Sequence, residues 1–141
     1  MLGTWVGNYR FNNDTHQKLI GFEKTFFEII ITASDGRKFS GTVQDDLSTG
    51  GTEGKGIIEG EINGSRVTFI KKMPVLTFLN PKTGKRITRR KSHSLIMYLG
   101  TLSEDKKSIS GDWKFKNRIY WYGLFPIITS KSSGTWEMAI K

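Results

Sequence analysis

The sequence predicts an all-β fold: an eight-stranded antiparallel up-and-down β-barrel that is closed and calycin-like in outline. Three observations support this prediction. Runs rich in β-branched and aromatic residues recur along the chain, Gly, Asn, Asp or Ser stands between them, and apolar and polar residues alternate within each run. Strands joined by tight turns pair with their neighbours, and closing the sheet removes both of its exposed edges.

The individual strands follow from these runs in chain order. Asp35-Gly36 and Asn63-Gly64 supply the positive φ of tight hairpin turns, and residues 103–107 form a similar polar turn. The predicted strands are Thr4–Phe11, Phe26–Ala33, Lys38–Asp45, Lys55–Ile62, Arg66 to about Leu79, about Arg86 to Leu102, Ser108–Phe115 and Thr135–Ile140.

Alternation separates a dry face from a wet face in seven of the eight strands, because successive side chains of a strand point to opposite sides. Lys71 is the one charged residue on the dry face. In the sixth strand, large apolar residues stand on both sides, so the inner face is not assigned. The dry face holds Trp5, Gly7, Tyr9, Phe11, Phe27, Ile29, Ile31, Phe39, Gly41, Val43, Ile58, Gly60, Ile62, Val67, Phe69, Lys71, Met73, Ile109, Gly111, Trp113, Phe115, Trp136, Met138 and Ile140.

Glycine recurs at inward positions of four strands. Gly7, Gly41, Gly60 and Gly111 suit the strong coiling of a small barrel, and we expect them to leave local space inside it. The alternative is that each one marks a β-bulge without any cavity.

Composition bounds the class of protein. With 141 residues the chain fits one domain, 1–141, and its apolar runs are too short to span a bilayer. No secretory leader is visible, so we expect a cytoplasmic protein. With no cysteine, disulfides and thiolate metal sites are excluded.

Charge is distributed unevenly along the chain. The net charge of +9 comes from 22 Lys and Arg against 13 Asp and Glu. Residues 62–103 contain no acidic residue, so part of the surface should attract anions. The alternative is a solvated basic face that only aids solubility.

Catalysis finds no support in the residue pattern. His16 and His93 lack the spacing of metal ligands, and Asp45-Asp46 at a strand end should point apart. Glu59 and Glu61 share a face in water, where nothing raises a carboxyl pKa for general acid catalysis. We therefore expect no enzymatic activity, no catalytic residue, no metal and no cofactor.

Gly3-Thr4-Trp5 stands at the head of the first strand, where lipocalins and fatty-acid-binding proteins carry a Gly-x-Trp signature and avidins open similarly. In this opening, in length and in strand rhythm the chain resembles that calycin-like group. The resemblance implies a barrel that binds a small ligand. A narrower resemblance, through the same opening, is to the β-barrel cyclic-nucleotide receptor domain of bacterial anti-phage effectors, which normally follows two membrane helices.

Ligand binding is therefore the predicted function, since an eight-stranded barrel is wide enough to hold one small ligand or to be filled by its own side chains. A buried Lys71 must lie near a mouth, pair with an acid or meet an anionic group, unless a register shift places it outside. The predicted ligand-binding residues are Lys71, Tyr9, Tyr98, Trp5, Phe69, Trp113 and Trp136. We expect an amphipathic or anionic small molecule, with a cyclic nucleotide as one alternative.

Three connections stand out as irregular. Asn12 to Thr25 is long enough to form a flap over a mouth. The fifth and sixth strands should extend beyond the barrel as a basic hairpin, whose predicted anion-binding residues are Arg86, Arg89, Arg90 and Lys91. The apolar connection from Lys116 to Gly134 should plug the barrel, cap a ligand or contact a partner. A further alternative is thus a filled barrel that binds nucleic acid, membrane or protein through the last two connections.

Overall fold

The computed structural model describes residues 1–12, 21–74, 76–79, 86–89, 94–115, 119–122, 125–128 and 133–141. It contains twelve strands and one short 3-10 helix over Leu47–Thr49. The strands are β1 Gly3–Phe11, β2 Thr25–Ser34, β3 Lys38–Asp45, β4 Lys55–Asn63, β5 Arg66–Met73, β6 Leu76–Leu79, β7 Arg86–Arg89, β8 Ser94–Leu102, β9 Ser108–Phe115, β10 Ile119–Tyr122, β11 Phe125–Ile128 and β12 Ser133–Ile140.

Eight of these strands form a closed barrel in the order β1-β12-β9-β8-β5-β4-β3-β2, and every pair is antiparallel. Each barrel strand therefore pairs with the preceding and following barrel strands of the chain, and β12 returns to β1. The predicted eight-stranded up-and-down barrel is confirmed. Closure pairs both edges, so the barrel leaves no open edge for another chain.

The two ends of the barrel differ in their connections. At one end, here called the turn end, residues 35–37, 64–65 and 103–107 join the strands. Gly36 and Gly64 adopt φ values of +90° and +63° there, as the predicted tight turns require. At the other end, here called the loop end, lie the starts and finishes of the long connections 12–24, 46–54, 74–93 and 116–132. Any feature at the loop end is thus adjacent to the points where these four connections start and finish.

Two strand predictions need correction at their ends. The fifth predicted strand breaks after Met73, where Pro74 lacks the N–H needed to continue the ladder. The sixth predicted strand likewise divides, and β6 pairs with β7 in a separate two-stranded sheet. Within the connection from 116 to 132, β10 and β11 form a second separate hairpin. Among the described residues, no helix is long and apolar enough to cross a membrane.

The predicted alternation of dry and wet faces is confirmed among the described side chains except at Ile140, and the side chain of Phe115 lies outside those described. None of the residues at the outward positions of the seven strands, all of which the structure describes, is buried. In β8 the inner face carries Ile96 and Tyr98, which are buried, whereas Leu99 is exposed. Ile140 was expected inside, but its side chain is 41% exposed because β12 ends there at the rim of the turn end.

Two of the inward glycines, Gly7 and Gly60, lie opposite bulky inward side chains of the neighbouring strands. Gly7 pairs with Phe27, and a Cβ at Gly7 would lie 2.7 Å from the Phe27 ring. Gly60 faces Phe39 in the same way, again at 2.7 Å. The space that these glycines leave is therefore occupied by neighbouring rings rather than kept open, and this packing lets large aromatic residues fit inside a narrow barrel.

Candidate functional site

Lys71, the one predicted inward cation, is buried inside the barrel with 1% of its surface exposed. Its ammonium Nζ donates a hydrogen bond to Oδ1 of Asp45 at 2.5 Å, and both side chains are almost fully enclosed. β5 therefore keeps the predicted register, and the register shift that would place Lys71 outside does not occur. A buried lysine was expected to lie near a mouth, to pair with an acid or to meet an anionic group, and the structure shows the pairing with an acid.

The Asp45 carboxylate accepts three hydrogen bonds from described residues. Its Oδ2 accepts one from the Tyr9 hydroxyl at 3.2 Å and one from the backbone N–H of Thr52 at 3.1 Å. The Lys71 Nζ also lies 5.0 Å from the centre of the Tyr9 ring and 5.7 Å from that of Phe27, within cation–π range. The buried side chains of Asp45 and Lys71 and the partly buried side chain of Tyr9 form a compact group, here called the Asp45 cluster.

The Asp45 cluster lies at the loop end. Asp45 is the last residue of β3, and Tyr9 and Lys71 each stand two residues before the end of their strands. The three strands run so that these positions meet at the same level inside the barrel. The cluster is thus located at the end of the barrel from which the long connections start.

The connection between β3 and β4 is folded against the Asp45 cluster by its own sequence. Asp46 caps the 3-10 helix by accepting a hydrogen bond from the Ser48 N–H, so its carboxylate turns away from that of Asp45. Thr25 donates to the Thr49 carbonyl at 2.8 Å, which ties the connection to β2. Gly51 fits closely, because a Cβ there would lie 2.3 Å from Cβ of Asp45. The Thr52 N–H is thereby aimed at Asp45.

Burial sets the electrostatics of the two tyrosines near the Asp45 cluster. Loss of water contact, followed by the negative charge of Asp45, raises the pKa of the Tyr9 hydroxyl well above its ordinary value. The same two causes raise the pKa of Tyr98. Both hydroxyls therefore stay protonated at neutral pH, and Tyr9 acts as a hydrogen-bond donor to the carboxylate.

A buried ion pair is a weak source of folding stability. The desolvation of two charges largely offsets their attraction, and well-packed apolar residues of similar size are often equally stable or more stable. Placing Lys71 and Asp45 inside the barrel therefore needs an explanation other than stability. Because it combines two buried charges with a position at the loop end, the Asp45 cluster is the candidate functional site.

Aromatic residues surround the Asp45 cluster on the loop-end side. The Tyr9 ring stacks on Phe27 at a centroid distance of 6.3 Å and meets Trp113 edge-on at 5.9 Å. Trp113 in turn contacts Phe11 at 5.0 Å and donates from Nε1 to the Arg10 carbonyl at 3.1 Å. The polar groups of the Asp45 cluster are thus held between rings whose own polar atoms have partners.

A second aromatic group fills the middle of the barrel. Tyr98 stacks on Phe69 with ring centroids 4.6 Å apart, and Trp136 meets both rings edge-on. Trp136 donates from Nε1 to the carbonyls of Leu99 and Asp112. Trp5 lies nearer the turn end and donates to the Met1 carbonyl. Within the described residues, every buried side-chain nitrogen and oxygen has a hydrogen-bond partner.

The structure brings together some of the predicted ligand-binding residues. Lys71, Tyr9 and Trp113 meet at the loop end, whereas Tyr98, Phe69 and Trp136 form the second aromatic group and Trp5 lies apart from both. Their roles in binding stay predictions. Of the predicted anion-binding residues, Arg86 and Arg89 lie on β7, and Arg90 and Lys91 lie outside the described residues.

Asp45 and Thr52 are the site residues that the sequence prediction did not assign. The alternation of β3 continues from Phe39 through Gly41 and Val43 to Asp45, so the pattern itself placed this carboxylate on the inward face. Asp45 and Asp46 do point apart, as expected. For Thr52 no signal exists in the sequence, because its contribution is a backbone N–H positioned by a connection.

Metal binding finds no support in the part of the chain that the structure describes, where no group of three His, Cys, Asp or Glu side chains lies close enough to hold an ion. His16 and His93 lie outside the described residues. Comparison of the chain with protein-family models, with curated proteins and with solved structures found no match. The closed eight-stranded barrel is compatible with a calycin-like architecture.

Proposed function

We propose that the protein is a non-enzymatic binding protein that takes up a small amphipathic or anionic molecule at the loop end, over the Asp45 cluster. The single observation that carries the proposal is the buried ion pair between Lys71 and Asp45 at the loop end. Ordinary core packing would place apolar side chains there. We propose that the charges of Lys71 and Asp45 are retained because they take part in ligand binding.

The chemistry of the Asp45 cluster suits an amphipathic guest. An ammonium group has three donors, of which Asp45 takes one, and an anionic or carbonyl group of the ligand would accept another. The rings of Tyr9, Phe27 and Trp113 would contact the apolar part of the same molecule. Because the rings of Tyr98, Phe69 and Trp136 occupy the middle of the barrel, we propose that the ligand binds at the loop end rather than deep inside.

A phosphate-bearing signal such as a cyclic nucleotide is the second candidate ligand. One observation favours it: β7, which carries Arg86 and Arg89, belongs to a connection that leaves the barrel at the loop end. Arginine forks pair well with phosphate oxygens, and aromatic rings stack on bases. This candidate corresponds to the narrower resemblance to anti-phage receptor domains.

Native mass spectrometry of the purified protein, followed by a thermal-shift panel of oleate, retinol, anilinonaphthalene sulfonate and cyclic nucleotides, tests the proposal. We expect a retained small molecule or a rise in Tm with at least one anionic probe. The double variant D45L/K71M should abolish that rise. The matched control E59Q/K72M removes one acid and one base from the exposed outer wall of β4 and β5, and it should keep the rise.

Two outcomes would overturn the proposal. One is an empty protein with no response to any probe. The other is a response that survives in D45L/K71M at full size, because the ligand would then bind elsewhere.

A further inference from the structure

Strand β8 carries large apolar residues on both of its faces. Ile96 and Tyr98 are buried inside the barrel, so the alternate residues Leu95, Met97 and Leu99 stand on the outer wall. Leu99 is 41% exposed there, and Leu95 and Met97 are half-buried. An antiparallel sheet that faces water usually presents polar residues on that side. The outer side of β8 is therefore not a simple solvated wall.

The strands beside β8 extend this apolar surface. Ile70 of β5 pairs directly with Met97, which brings the two side chains to about 5 Å from each other on the same face. Ile57 of β4 lies diagonal to Ile70, because its own direct partner is Lys72, and it is 51% exposed. These residues form one continuous apolar surface, here called the β8 patch, which consists of Ile57, Ile70, Leu95, Met97 and Leu99.

Two opposite charges stand on the two sides of the β8 patch. Glu59 of β4 pairs with Ile70, and Lys114 of β9 pairs with Met97. Glu59, Ile70, Met97 and Lys114 thus form one row across four adjacent strands. Both charged side chains are exposed, and neither has an ion-pair partner among the described residues. The row therefore begins with a free acid and ends with a free base.

We propose that the β8 patch is the interface of a homodimer with two-fold symmetry. An axis that runs parallel to the strands, between β5 and β8, lays Ile70 of one protomer on Met97 of the partner subunit, and the reverse. The same rotation sets Glu59 opposite Lys114 of the partner subunit, so two ion pairs close the two sides of the apolar contact. Charge complementarity carries the choice of a second copy, because the row matches itself when it is reversed.

The next row across the four strands is compatible with this arrangement. It consists of Glu61, Thr68, Leu99 and Asp112, and the rotation sets Glu61 opposite Asp112 of the partner subunit. The Glu61 carboxylate lies 4.0 Å from Nε of Arg37, and Lys38 is its direct neighbour on β3. Bases of the same protomer therefore compensate the charge of Glu61 before it meets a second acid.

This pairing does not depend on the proposed small-molecule ligand. The Asp45 cluster lies inside the barrel, whereas the β8 patch lies on its outer wall, so each protomer of a dimer keeps its own cluster. The control E59Q/K72M should accordingly keep its response to ligand whether or not its chains pair. Loss of the dimer with an intact ligand response would overturn the pairing alone, and the reverse result would overturn the ligand site alone.

Sedimentation velocity of charge-reversal variants tests the proposal on the whole protein. We expect the wild type to dimerise, and the dimer Kd to rise at least about tenfold in E59K and in K114E, because like charges then meet at both sides of the interface. An equimolar mixture of E59K and K114E should form a heterodimer, since opposite charges meet again at both sides. The double variant E59K/K114E should dimerise with itself for the same reason.

Two kinds of control separate this interface from general charge effects. E104K and K107E reverse exposed charges of the same signs at the turn end, and both should keep the wild-type Kd. M97E places a charge at the centre of the β8 patch, and it should give a monomer with the circular dichroism spectrum of the wild type.

Three results would overturn the proposal. The first is a wild type that stays monomeric at every concentration. The second is a dimer that persists unchanged in M97E, because the chains would then pair through another surface. The third is a mixture of E59K and K114E that stays monomeric although the wild type dimerises, since this would contradict the arrangement of the two rows.

Discussion

Nζ of Lys71 and Oδ1 of Asp45 meet at 2.5 Å inside the barrel, although β4 lies between their strands in the sheet. The pair therefore joins β5 to β3 across the interior rather than along the wall. Tyr9 of β1 and the N–H of Thr52 complete the contacts of the carboxylate. Four separate parts of the chain thus converge on Asp45 at the loop end.

Removing one partner of this pair should lower the free energy of unfolding far more than removing both. K71M leaves a buried carboxylate without its counter-charge, and we expect a loss of about 3 to 5 kcal/mol in the free energy of unfolding. D45L/K71M should recover most of that loss, because two apolar side chains of similar size fill the same space. Urea unfolding of the wild type, both single variants and the double variant measures this cycle. Additive losses in the double variant would contradict the account.

Gly100 should resist substitution because of the ring beside it. A Cβ at this position would lie 2.7 Å from Cζ2 of Trp136 and 2.9 Å from the Ser110 carbonyl oxygen. Trp136 cannot easily move, since its Nε1 donates to two carbonyls. We expect G100A to cost about 1 to 3 kcal/mol by overpacking.

G100A should lower the free energy of unfolding less when it is made in a W136F background, because the smaller ring relieves the closest contact. Chemical denaturation of the two single variants and the double variant checks this. An unchanged cost in the W136F background would show that the backbone, rather than the ring, limits the site.

Alkaline pH should destabilise the fold through Tyr9 and Tyr98. Burial and the charge of Asp45 raise the pKa of Tyr9 and of Tyr98 in the folded protein, whereas both residues ionise near pH 10 in the unfolded chain. Their contribution to stability is therefore complete below about pH 10 and is lost as pH rises through and above that value. Tyrosinate absorbance should show these two residues titrating only as the protein unfolds, and this part of the signal should disappear in Y9F/Y98F. Titration of Tyr9 or Tyr98 near pH 10 in the folded protein would contradict their raised pKa.

Acidic pH should destabilise the turn at Asp35, which lies at the turn end of the barrel. The Oδ1 of Asp35 accepts hydrogen bonds from the N–H groups of Lys38 at 2.6 Å and Arg37 at 2.9 Å, and these bonds lower the pKa of Asp35. A lowered pKa means that the contribution is present above the unfolded pKa of about 4 and fades as pH falls below it. NMR titration of the Lys38 amide should follow that carboxylate, and D35A should abolish the acid dependence. A Lys38 amide that is insensitive to pH in the wild type would count against this turn.

Most of the barrel was predictable because strand alternation is a local property. Spacing alone predicted that the inner face carries Trp5, Phe27 and Trp113. The turn was predicted from the backbone freedom of Asp35-Gly36. Ile140 was misplaced because alternation does not indicate where a barrel stops. The break at Pro74 was missed because one long apolar and basic run reads as a single strand.

The candidate site was only half predictable. Lys71 could be found as the one charged residue on a dry face, but its partner lies on a strand that is distant in sequence and not adjacent in the sheet. The Thr52 N–H depends on the fold of a connection, which residue spacing does not encode. Long-range convergence of this kind follows from closure of the barrel, not from any local pattern.

Backbone NMR of labelled protein titrated with oleate and with anilinonaphthalene sulfonate tests most directly whether the Asp45 cluster is the binding site. The account predicts that the amide signals at positions 45, 52 and 71 shift in the wild type, and that the signals at the same three positions stay still in D45L/K71M. Shifts confined to Gly36 and Gly64 at the turn end, or equal shifts in both proteins, would contradict it.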